Sequence, residues 1–193
     1  MTLATLGPTP ARELDDVALA RARRGDAAAF RALVETYQDR VFALLWRFLG
    51  RRAQAAVVDD LAQATFVGVW RALPRFRDDG PARLSTWVLA IAARTALKAR
   101  RDDRVGDDVV MEALPAGGAS PAQRADARAF ADALAGAVDR LAPAYRAAFV
   151  LHAYHELDHA EIARALDVEV GTVKSRLARA REALRAELKE YAP

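Results

Sequence analysis

Between positions 170 and 185 the chain carries five basic residues against one acidic residue, with two hydroxyls among them. Written on a helix, Thr172, Ser175, Arg176 and Arg179 share one face beside Lys174. Hydroxyls and guanidinium forks of this kind contact phosphates and base edges in the DNA major groove, so the chemistry on offer is recognition of a polyanion. Val173, Leu177, Ala180 and Leu184 recur at steps of four, three and four and form an apolar stripe on the other side. A cationic amphipathic helix by itself is as readily a solvated surface. The segment before it shifts the balance. Asp158 and Glu161 fit a capping box written with aspartate, and Ile162, Ala163 and Leu166 supply a buried side. A tight turn at Asp167-Val168-Glu169 then joins the two helices, with Asp167 a tolerable residue for a left-handed conformation. The pair reads as a helix-turn-helix.

A second concentration of positive charge, five basic residues against two acidic, runs from 94 to 104. Arg94, Lys98 and Arg101 lie four and three apart, a cationic stripe able to follow phosphates, with an ordinary solvated face as the plain alternative. Catalytic constellations are absent: there is no glycine-rich phosphate loop, no cysteine and no convincing carboxylate pair, since Asp59 and Asp60 are adjacent on a helix and diverge. The three histidines, His152, His155 and His159, cluster around Glu156, but the helix break at Asp158 separates the last, so helix-end histidines are favoured over a metal site. No cofactor is expected.

These residues need a frame, and 193 residues that are 53% hydrophobic can bury a sizeable core in one domain or two small ones. The net charge of +3 favours nucleic acid only weakly; the distribution of charge says more than the total. Absence of cysteine excludes disulfides and thiol chemistry and suits a reducing compartment. Met1 to Ala11 lacks the pattern of a secretory leader and no apolar run reaches bilayer length, so a cytoplasmic protein without membrane insertion is expected.

The periodicity is helical almost throughout and predicts an all-α fold of two small helical domains joined by a flexible linker. Asp15 caps a first helix that Gly25 ends, Asp26 caps a second running to Gly50, and a third spans 58–73 before Pro74. A loop over 75–84 leads through Ser85, read as an N-cap, into a fourth helix reaching about Arg101. From 102 to 120 periodicity vanishes, and five acidic residues accompany the single Arg104. Ser120-Pro121 then opens a helix to about Leu141, and Pro143 opens the next. The expected units are 13–101, a linker over 102–120, and 121–188 with the helix-turn-helix.

Three stretches in this order resemble the extracytoplasmic-function sigma factors of bacterial RNA polymerase: Val58 to Trp70, Ser85 to Arg94, and Gly171 to Arg181. The likeness covers roughly 13 to 188. It implies a transcription initiation factor, not an enzyme, that binds core RNA polymerase and directs it to promoter DNA. By resemblance, Asp60 and Gln63, with neighbouring Asp59, dock on the polymerase clamp. Phe66 and Trp70 share a related stripe and read mainly as packing that positions this face. Arg94, Lys98 and Arg101 fall in the region that recognises and melts the −10 element, and residues from Phe76 to Thr86 are candidates for a pocket that receives an extruded base. Trp87 reads as a core anchor. Thr172, Lys174, Ser175, Arg176 and Arg179 fall in the −35 reader. The family also implies an anti-sigma partner.

Departures from the family pattern are Arg94 where asparagine is common, Asp167 for glycine and Glu169 for serine or proline. Arginine cannot reproduce an amide's donor and acceptor pair, and Glu169 is a poor cap that brings negative charge near DNA. These differences leave room for a sigma-like interaction protein that sequesters polymerase or another regulator without initiating. A stand-alone helix-turn-helix repressor is a third reading, and it would bind a palindrome without polymerase.

Overall fold

The computed structural model describes residues 13–50, 53–77, 80, 83–101 and 121–191, and within these it describes no side chains for 101 and 121–127. Among the described residues eight α-helices follow in order: α1 (Asp16–Arg23), α2 (Ala27–Leu49), α3 (Ala55–Ala72), α4 (Leu84–Arg101), α5 (Pro121–Arg140), α6 (Pro143–Ala153), α7 (His159–Leu166) and α8 (Val170–Glu187). Short 3₁₀ turns occupy Leu73–Arg75 and Lys189–Tyr191, and the described residues contain no strand.

Local chemistry sets most helix ends. The Asp15 carboxylate accepts from the Ala18 N–H and starts α1. Asp26 accepts from Ala28 and Ala29 and starts α2; these bonds, with Arg21 beside it, hold its carboxyl below the usual range. Gly25 and Gly50 both adopt φ of +87°, the conformation in which a residue without Cβ ends a helix at least cost. Pro74 turns the end of α3 into a 3₁₀ turn. Helix α3 starts three residues before the expected position, at Ala55, because Gln54 serves as N-cap without a side-chain bond and leaves no local signal.

Ser85 is a correction. Helix α4 begins at Leu84, so Ser85 lies inside the first turn, and its hydroxyl donates to the Glu13 carboxylate. That carboxylate also accepts from the Tyr37 hydroxyl at 2.7 Å, and the Tyr37 oxygen in turn accepts from the Leu14 N–H. A contact 72 positions away in sequence has claimed the serine.

Helices α1 to α4 share a core in which Leu33, Tyr37, Val41, Leu44 and Leu45 of α2 meet Val58 and Val69 of α3 and Val88, Leu89 and Ala92 of α4. Gly68 lets α3 approach α4 closely, since a Cβ there would stand 3.3 Å from Ile91 Cγ2. Helices α5 to α8 gather around Ala147, Leu151, Ile162, Leu177 and Ala180. Arg140 of α5 bonds Glu187 of α8 through Nε at 2.7 Å. The buried side chains of the two groups join in one cluster, with α4 against α7 and α2 against α6. The segment 102–120, with Ser120, lies outside the described residues.

Candidate nucleic-acid interface

The helix-turn-helix assembles as its sequence requires. The Glu161 N–H donates to the Asp158 carboxylate at 2.7 Å while the Asp158 N–H donates to the Glu161 carboxylate at 2.9 Å, a complete reciprocal cap. Asp167 closes α7 in the left-handed region with φ 53° and ψ 56°. Glu169 precedes α8 without a side-chain cap bond. Val173, Leu177, Ala180 and Leu184 are all buried. Lys174, Ser175 and Arg179 are exposed on the far side, with Thr172 and Arg176 partly exposed. Ser175 bonds back to the Thr172 carbonyl at 2.9 Å, and Arg179 pairs with Glu182 at 3.1 Å. That ion pair leaves both side chains about two-thirds exposed (67% and 70%), so a phosphate can displace it at little cost.

On α4, Arg94 and Lys98 are exposed, and the Arg94 Nε folds back on its own helix to the Ala90 carbonyl at 3.2 Å. Arg101 ends α4, but its side chain lies outside the described residues. Trp87 is half-buried against Phe76, their ring centroids 4.9 Å apart, as expected of an anchor. Of the residues expected to form a base pocket, Phe76, Leu84, Ser85 and Thr86 are buried, whereas 78, 79, 81 and 82 lie outside the described residues.

Asp59, Asp60 and Gln63 are exposed on α3. Asp59, Asp60, Gln63 and Phe66 border a shallow groove with Val34, Gln38 and Phe42 of α2. Gln63 and Phe66 also border an adjoining apolar groove floored by Phe30, Val34, Val67 and Trp70. Trp70 stacks edge-on against Phe30 at 4.7 Å yet keeps 38% of its surface exposed. The two aromatics are therefore neither wholly core nor wholly surface. The α2 side of these grooves was not read from the sequence, although Phe30 and Val34 stand one turn apart.

Of the three histidines, His152 bonds the Leu157 carbonyl at 3.1 Å, and its ring lies 5.6 Å from that of His159. His155 is buried instead, and burial with nearby Arg40 and Arg47 pushes its pKa down to about 3. No cluster of potential metal ligands occurs among the described residues, and no described helix is long and apolar enough to cross a membrane.

Comparison with known proteins gives this geometry a family. Residues 33–105 match the model of sigma-70 region 2 and residues 131–184 that of sigma-70 region 4. The chain is 32% identical over 181 residues to the ECF RNA polymerase sigma-E factor of Escherichia coli strain K12, covering 88% of this chain and 92% of that protein. It is 29% identical to the ECF RNA polymerase sigma factor SigW of Bacillus subtilis strain 168, across 87% of this chain and 93% of that one. Among solved structures it resembles CnrH in complex with the cytosolic domain of CnrY, at 27% identity and a TM-score of 0.63, covering 93% of this chain and all of that one. RpoE in complex with the anti-sigma factor NepR from Bartonella quintana shares the fold at 20% identity and a TM-score of 0.60, over 83% and 96% of the two chains. With both sigma regions in order on an all-helical frame, the chain belongs to the ECF sigma factor family of RNA polymerase.

Proposed function

We propose that this chain is a transcription initiation factor that binds core RNA polymerase and directs it to promoters with unlike −10 and −35 elements. Polymerase performs the chemistry; this chain supplies position and specificity, in the cytoplasm where polymerase works. The observation that carries the reading is the joint presence of both sigma regions, each with its apolar side buried and cationic side chains exposed.

In this reading residues 13–101 grip polymerase and open the −10 region, 121–188 read the −35 element, and 102–120 tether them. The carboxylates of Asp59 and Asp60, the Gln63 amide and the adjoining grooves form the polymerase-docking face. Arg94, Lys98 and Arg101 follow the phosphates of the separating strands. Thr172, Lys174, Ser175, Arg176 and Arg179 enter the major groove at −35. Two weak DNA surfaces on a tether select a promoter only when polymerase fixes their separation, so the free chain binds promoter DNA poorly. An anti-sigma partner fits the family: RpoE of Bartonella quintana was solved in complex with the anti-sigma factor NepR.

Footprinting on a promoter fragment tests this reading. Core polymerase with the chain protects two boxes at fixed spacing, whereas either alone does not. A palindromic footprint from the chain alone would instead establish a stand-alone repressor.

A further inference from the structure

Ahead of α1, the Glu13 side chain reaches two other helices at once. One carboxylate oxygen, Oε1, accepts from the Ser85 hydroxyl in the first turn of α4. The other, Oε2, accepts from the Tyr37 hydroxyl in the middle of α2 at 2.7 Å. The Leu14 N–H donates to the Tyr37 oxygen at 3.1 Å and leaves the phenol's own proton for Glu13. Burial pushes the Tyr37 phenol above its ordinary pKa, so that proton stays in place. Glu13 is exposed, whereas Tyr37 and Ser85 are buried. An exposed carboxylate thus closes over two hydroxyls that the fold has taken from water.

The bridge adds something that the surrounding packing lacks. Where α4 lies on α2, the core is built from Val88, Leu89 and Ala92 against Leu33, Val41, Leu44 and Leu45. Apolar contact is non-directional and resists separation better than it resists rotation or sliding. Hydrogen bonds to a carboxylate are directional and stronger than neutral ones. At the far end of α4, Arg100 Nη1 donates to the Phe48 carbonyl of α2 at 3.2 Å. The helix is therefore pinned near both ends, and the exposed Arg94 and Lys98 lie between the pins.

What the first pin joins is specific. Ser85 sits beside Thr86 and Trp87, in the region assigned to the pocket for an extruded base. Tyr37 lies on α2 between Val34 and Gln38, which line the groove that Asp59, Asp60 and Gln63 border. A site that must receive a base has to be held to within about 0.5 Å of its working geometry. We infer that Glu13 is a positioning residue for promoter opening: its two-pronged bond sets the rotation and axial position of the first turn of α4 on α2. The −10 reading face is thereby fixed relative to the polymerase-docking groove. The inference rests on the sigma reading above.

Three variants separate position from stability. Ser85→Ala frees α4 from the carboxylate and leaves Tyr37 bonded. Tyr37→Phe frees α2 and leaves Ser85 bonded. Glu13→Ala combined with both removes the carboxylate and its two hydroxyls together, a replacement that can be nearly neutral for folding because neither hydroxyl is left unpaired. Each full-length variant is read in three ways: affinity for core polymerase, the midpoint of urea unfolding, and, with core polymerase on a promoter, the rate at which −10 thymines become reactive to permanganate.

Opening is expected to slow about tenfold in all three variants, the worth of one hydrogen bond to a charged group. The losses are not expected to add, because either single cut already releases the bridge. Core affinity is expected to hold, and the triple variant to recover its unfolding midpoint while its opening stays slow. Opening at the wild-type rate in Ser85→Ala, or opening that recovers together with the midpoint in the triple variant, would overturn the inference and leave the bridge a role in folding alone. Core affinity that falls in step with opening would overturn it as well, since the bridge would then support the docking face. If the unaltered chain opens no promoter with core polymerase, the sigma reading itself falls and this inference with it.

Discussion

At the scale of single residues, function rests on side chains that the fold leaves out of its core. Arg176 and Arg179 belong to a helix whose apolar side is fully committed elsewhere, so their substitution tests recognition without testing stability. Arg176→Ala and Arg179→Ala are each expected to weaken transcription from promoters that depend on a −35 box by about 1–3 kcal/mol where the arginine reads a base edge. Where it meets phosphate, the loss is uniform across sequences and the salt dependence falls by about one unit. Run-off transcription on templates with and without the −35 box separates the cases, since equal loss on both marks a phosphate contact, and no loss on either would remove these residues from that role. Asp60→Arg with Gln63→Ala is expected to lower affinity for core polymerase at least tenfold, about 1.4 kcal/mol, without changing the melting temperature. Wild-type affinity in that variant would shift the docking face elsewhere on the molecule.

At the scale of elements, what was legible in the sequence was what local chemistry decides. Asp15, Asp26 and Asp158 announce helix starts because a carboxylate bonds N–H groups two or three residues ahead, and each does so. The stripe of Val173, Leu177, Ala180 and Leu184 announces which side of α8 is buried because its spacing matches the helical repeat. Ser85 carries the same kind of signal and misleads, since Glu13 takes its hydroxyl from far along the chain. The start of α3 has no side-chain cap to mark it, and the deep burial of His155 depends on partners elsewhere in the fold, which no local pattern encodes. Asp158→Ala removes the carboxylate half of the reciprocal cap, the acceptor of the Glu161 N–H, and is expected to cost about 0.5–2 kcal/mol in urea unfolding, with the greatest loss of hydrogen-exchange protection in α7. Protection lost evenly across all helices would show that the cap does not act locally.

At the scale of the whole molecule, the two helical groups meet across a contact rich in arginine, and His155 gives that contact a dependence on pH. Burial and the facing charges of Arg40 and Arg47 hold His155 neutral, with a folded pKa of about 3 against an ordinary value of 6.5. Between these values the unfolded chain binds more protons than the folded one. The stability contributed by neutral His155 is therefore fully present above pH 6.5 and is lost as pH falls toward 3, by up to about 1.4 kcal/mol per pH unit. His155→Gln should flatten the decline in urea-unfolding stability between pH 6.5 and 4.5, where most carboxylates are still ionised. An unchanged slope would show that His155 is not the group responsible. None of this contact could be read from the sequence, because its partners lie on opposite sides of the segment 102–120.

Whether this chain turns core polymerase into a promoter-specific enzyme is decided by transcription in vitro over fragmented genomic DNA from the source organism, using its own purified core polymerase with and without the chain. Discrete new start sites that require the chain and share two unlike upstream boxes at constant spacing are expected. Polymerase binding with no new start sites would contradict initiation and leave a sequestering protein; neither binding nor start sites would leave a helix-turn-helix protein that acts alone.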